Sequence, residues 1–170
     1  MKRYQIRQAY LCQRFHHGLN LRFCLITDKV NERVLSMTNY EGTVYDAIGG
    51  SATIHLLVEA FYERVGNHPD LAPIFPDDLT ETARKQKQFL SQFLGGPAYY
   101  TEEHGHPMLR ARHLPFEITP TRKDAWLSCM REALEEAGVE EPYRSAIFER
   151  LTYTAHHMMN TPEDRKGEST

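Results

Sequence analysis

Four segments of this chain space their apolar side chains three and four residues apart, and no segment alternates polar with apolar for any length. The first is a helix from Ser51 to about Gly66, with Ser51 as N-cap and Ile54, Leu57, Val58, Phe61 and Val65 on one stripe. The second runs from Thr80 to Leu94, where Gly95-Gly96-Pro97 stops it. The third spans Thr121 to Ala137. It carries Ala125, Trp126, Cys129, Met130, Ala133 and Leu134 on a wide apolar face, and Thr121 with Asp124 resembles a capping box. The fourth covers about Pro142 to Asn160, with Ile147, Phe148, Leu151, Ala155 and Met158 in register. Such a chain folds as packed helices, so the expected class is all-α. Between them, Pro69, Pro73 and Pro76 predict an extended connection over 68–78, with Leu71, Ile74 and Phe75 as inward anchors, and 98–104 reads as a loop.

The Thr80–Leu94 helix is unusual on its inward side. One face reads Thr82, Gln86, Phe89, Phe93, widened by Leu90 and Leu94. The aromatic end is expected in the interior, which carries Thr82 and Gln86 to the rim of the same interior. Polar groups there require partners from protein, water or ligand. The pattern suits a pocket mouth. Lys85 flanks it, though in the run Arg84-Lys85-Gln86-Lys87 composition alone describes a solvated lysine. Tyr62 lies at the edge of the first stripe, where its hydroxyl faces either water or a pocket. Trp126 needs an acceptor for its indole N–H if buried.

A fifth element is short. In Gly105-His106-Pro107-Met108-Leu109-Arg110-Ala111-Arg112-His113-Leu114-Pro115-Phe116, Pro107 suits the first helical position and Pro115 ends the helix by moving Leu114 off helical angles. About two turns are unstable alone, so packing must hold them. Leu109 and His113 share a face. An inward imidazole needs a partner for each nitrogen: either neighbouring carbonyls and carboxylates, or a metal on Nε2 with Nδ1–H on backbone. The consecutive pair His156-His157 points about 100° apart and cannot chelate one metal from one face.

Length and charge bound the rest. The 170 residues suffice for one domain with a core, and no apolar run approaches the roughly 18 residues of a membrane span. Three cysteines without paired spacing predict reduced thiols and a cytoplasmic protein. Residues 1–39 carry a net charge of +5 and the remainder −8. That acidic body argues against nucleic-acid binding. The basic segment 1–39 shows no helical or strand period and is expected to lack stable structure, with Met37 reading as a natural start. The domain is placed at 40–162, followed by a polar tail over 163–170. No phosphate-binding glycine loop follows Gly49-Gly50.

From Tyr45-Asp46-Ala47-Ile48-Gly49-Gly50 to Asn160 the chain resembles the truncated haemoglobins of the second group. The resemblance rests on Phe61-Tyr62, Ile74-Phe75-Pro76, Phe93-Leu94-Gly95-Gly96-Pro97, Gly105-His106-Pro107 through Arg112-His113, and Asp124-Ala125-Trp126-Leu127, in order and at this spacing. It implies a two-over-two helical sandwich around haem b. It implies His113 as the proximal iron ligand, Thr82, Lys85 and Tyr100 at the haem edge and propionates, and Tyr62, Phe75, Thr82, Gln86 and Trp126 in the distal pocket. Some relatives have Tyr where Phe75 stands, so one hydroxyl is missing. No histidine occupies the distal helix position found in vertebrate globins.

The implied function is reversible binding of O₂ and other diatomic ligands such as NO and CO, with Tyr62, Gln86 and Trp126 as donors. Nitric oxide dioxygenation or peroxidase-like turnover would use the same site. Either needs an external reductase, because the chain has no flavin or nicotinamide motif. A monomer or weak homodimer is expected. A reading of another class is a haem-free helical module that binds a protein partner through its acidic surface; absence of a Soret band would mark it.

Overall fold

The computed structural model describes residues 42–162, and the basic N-terminal segment and the polar tail lie outside them. The described residues form seven α-helices and one 3₁₀ turn, with no strand among them. The helices are α1 Val44–Ala47, α2 Gly50–Asn67, α3 Thr80–Phe93, α4 Tyr99–His104, α5 Leu109–His113, α6 Pro120–Glu136 and α7 Tyr143–Met158. The 3₁₀ turn is Ala72–Ile74. It lies inside the connection expected to be extended. There Leu71 is fully buried, while Ile74 and Phe75 are only half-buried.

The core is built on α2, which packs against α3 on one side and α6 on the other; α7 then covers α6. Ile54, Leu57, Val58, Phe61 and Val65 are buried, as the stripe predicts. Met130, Ala133 and Leu134 of α6 and Ile147 and Leu151 of α7 close the same cluster.

Several helix starts differ from the expected ones, each for a local reason. Ser51 is not an N-cap: α1 runs almost directly into α2, and Gly49 makes the junction at φ 100°, where serine would be strained. The capping box predicted for Thr121 and Asp124 is displaced by Thr119, whose hydroxyl accepts from Arg122 N–H, with Pro120 at the first helical position. A true capping box occurs in α1, where Thr43 and Asp46 satisfy each other's backbone. The expected loop 98–104 contains helix α4. The Gln92 side chain holds it by accepting from Thr101 N–H at 3.0 Å and donating to the Thr101 hydroxyl at 2.8 Å.

Gly95-Gly96 does more than stop α3. Tyr45 N–H of α1 donates to Leu94 O at 2.9 Å, and the Tyr45 ring lies over Gly96. A Cβ at Gly96 would come within 2.6 Å of that ring.

Candidate functional site

The aromatic end of helix α3 packs against the interior, as expected, but its phenylalanines are not fully sealed there. Leu90, Ser91 and Leu94 are its buried contacts, while Phe89 and Phe93 are half-buried and stacked on each other at 5.4 Å. The core uses the Leu90/Leu94 edge, leaving the Thr82–Gln86–Phe89–Phe93 face partly open. Phe89 and Phe93 pack against the core cluster while staying half-buried, so this side of α3 is a partly open apolar wall.

Three of the predicted residues meet in an aromatic group of their own. Tyr62 is 8% exposed, with its ring edge-on to Phe61 at 5.0 Å and to Phe75 at 6.1 Å. Phe61 also meets Trp126 at 5.2 Å. One aromatic cluster therefore gathers Tyr62, Phe75 and Trp126 from α2, the 72–75 turn and α6. The polar tips of Tyr62, Trp126, Gln86 and Thr82 have no hydrogen-bond partner among the described residues, yet none is a sealed, unsatisfied atom. These donors face accessible space. Burial pushes the Tyr62 phenol well above its ordinary value.

The haem-edge candidates divide. Tyr100 is buried at the start of α4, edge-on to Phe89 at 6.1 Å, with the Arg112 guanidinium 5.9 Å from its ring centre. Arg84 pairs with Glu81 and Glu103, and Lys87 pairs with Glu59. Lys85 between them is exposed and forms no ion pair among the described residues. Lys85 thus keeps the solvated position that composition describes, while its two cationic neighbours are paired.

His113 ends α5. Met108, at φ 45°, caps this helix, so Pro107 precedes it and does not occupy its first turn. Leu114 keeps helical angles despite Pro115, because its N–H bonds to Arg110 O at 3.1 Å. No residue of α5 is buried. It is held from outside: the Arg110 guanidinium donates to the carbonyls of His157 and Met159, and the Asn160 amide donates to His113 O. The His113 ring uses Nδ1 on Leu109 O at 2.6 Å. Nδ1 must then carry the hydrogen, and Nε2 keeps its lone pair free. His113 makes no hydrogen bond or ring contact with Tyr62 or Trp126. A cleft of about 670 Å³ is lined by Phe75 of the aromatic cluster and by Pro115 and Phe116 just beyond His113. His156 and His157 are both exposed, and no His, Cys, Asp or Glu cluster suited to a metal occurs among the described residues.

Packed helices without a strand among the described residues, and an imidazole held on its own backbone with Nε2 unengaged, are compatible with a haem-binding globin. The sequence model for bacterial-like globins matches residues 43–160, and the chain belongs to that family, within the group 2 truncated haemoglobins. It is 64% identical over 119 residues to a group 2 truncated haemoglobin of Bacillus subtilis, covering 70% of this chain and 89% of that one. The crystal structure of the group II truncated haemoglobin from Bacillus anthracis matches with a TM-score of 0.70 at 67% identity, over 71% of this chain and 98% of that one. A truncated oxygen-avid haemoglobin from Bacillus subtilis matches with a TM-score of 0.68 at 63% identity, over 70% and 100%. The protein is thus a globin that takes haem b and binds diatomic ligands. The free Nε2 and the unpartnered donors fit that group. No described helix is long and apolar enough to cross a membrane.

Proposed function

We propose that the protein binds O₂ tightly at haem b, with His113 as the axial ligand, for oxygen scavenging or carriage in the cytoplasm. When bound, the haem supplies a ferrous iron that takes a diatomic ligand reversibly. The chain's own part is to hold, orient and shield. Leu109 O fixes the His113 ring and its tautomer. Thr82 and Tyr100 would hold the edge of the haem, and the exposed Lys85 ammonium would offer its charge to a propionate. Phe75 contributes an apolar wall.

The observation that carries the reading is the set of unpartnered donors on Tyr62, Gln86 and Trp126. A hydrogen bond to an acceptor bearing negative charge contributes roughly 1.5–3 kcal/mol. Falling on the ligated state alone, one donor slows release by about tenfold to a hundredfold. Two or three donors suit retention and redox chemistry better than bulk delivery. The relative described as oxygen-avid supports the same reading. Turnover of NO or peroxide at the site would draw electrons from a separate reductase.

Stopped-flow O₂ release tests this. Tyr62→Phe combined with Trp126→Phe is expected to raise the off-rate at least about tenfold. An unchanged rate removes the proposed donors.

A further inference from the structure

Asn160 lies two residues beyond α7, far in sequence from the haem-site residues. It reads in the sequence as an ordinary helix end. Its amide is nevertheless the most fully used side chain in the region. Nδ2 donates to His113 O at 3.0 Å and to Phe116 O at 2.8 Å. Oδ1 accepts from Ile118 N–H at 3.0 Å and from the Thr161 hydroxyl at 2.8 Å. Two donors directed at Oδ1 fix the orientation of the amide, so Nδ2 must face the two carbonyls. Backbone bonds from Asn160 N and Thr161 N to Ile118 O, at 3.2 and 3.3 Å, lock the same join.

The target matters more than the number of bonds. Asn160 grips the carbonyl of His113 itself, whose ring is separately tied to Leu109 O. With no buried residue in α5, apolar packing does not fix the position of this histidine. We infer that Asn160 is a positioning residue for the proximal ligand: while Arg110 ties α5 to the end of α7, Asn160 holds the His113 backbone itself, and through it sets how firmly Nε2 holds the haem iron. The inference rests on His113 being the axial ligand.

The test uses the haem-loaded full chain with Asn160→Ala and Asn160→Asp. The aspartate keeps acceptors for Ile118 and Thr161, loses both donations and sets a carboxylate oxygen against the His113 and Phe116 carbonyls, so it repels the backbone that alanine only releases. Both variants are expected to shift the iron–imidazole stretching band in the ferrous resonance Raman spectrum. Both are expected to lose haem to an apo-globin acceptor about tenfold faster, with helical content retained. Band and loss rate equal to the unaltered protein overturn the inference. So does reduced helical content with the band unmoved, which marks a folding role only. A His113→Ala variant separates the two claims. If it keeps the normal imidazole-ligated spectrum, the ligand assignment itself fails. If that spectrum is lost while the Asn160 variants behave normally, only the positioning role fails.

Discussion

The Nδ1 atom of His113 lies 2.6 Å from the carbonyl oxygen of Leu109, one helical turn earlier in the same five-residue helix. An α-helix of that length has few internal bonds, and Leu109 is its first residue. Here the side chain bonds back within its own turn, and so chooses its tautomer before any metal arrives.

This predicts a rescue experiment. His113→Gly leaves a space shaped for an imidazole whose N–H is met by Leu109 O. The variant is expected to lose the imidazole-ligated ferrous spectrum and regain it when free imidazole is added. N-methylimidazole lacks that N–H and is expected to restore it more weakly. Equal rescue by both would show that the Leu109 bond does not orient the ligand.

Stability should respond in opposite senses at two glycines. A Cβ at Gly96 would meet the Tyr45 ring at 2.6–2.8 Å, a rigid neighbour that must move. Gly96→Ala is expected to cost about 1–3 kcal/mol, seen as a thermal midpoint several degrees lower. Gly66 lies in α2, where an added Cβ would make ordinary contact with Leu79 at 3.6 Å. Gly66→Ala is expected to gain roughly 0.5–1 kcal/mol. Equal midpoints for the two variants would refute the packing argument.

Acid should loosen the α3–α4 join. Arg84 hydrogen bonds first, and then Gln88, hold the Glu103 carboxyl down at about 2, against an ordinary value of 4.5. A carboxylate whose pKa is lower when folded adds stability above pH 4.5 and loses it as pH falls toward 2. Glu103→Gln is expected to flatten the thermal midpoint profile between those two values. Because the pair is exposed, the difference should shrink in high salt. Parallel profiles at low ionic strength would show that the pair contributes nothing.

The helices of the body were legible because Ile54, Leu57, Val58, Phe61 and Val65 obey one period and end up buried together. Two kinds of feature were not. Helix α4 is held by the Gln92 side chain on Thr101, nine residues on, a contact that no apolar period encodes. Phe89 and Phe93 pack against the core and still stay half-buried, because hydrophobicity alone cannot tell a sealed core face from a partly open one. For the site, Thr82 and Gln86 on an otherwise apolar face were the readable signal, and their unpartnered state agrees with it. Asn160 gave no such signal, since an asparagine after a helix is commonplace and only the tertiary fold brings it to His113.

Helix α5 contributes nothing to the hydrophobic interior. The α2, α3, α6 and α7 scaffold can therefore assemble without it, and this segment should be the first to open in native-state hydrogen exchange. With His113 as the proposed iron ligand, loss of the haem and opening of this helix are expected as one event.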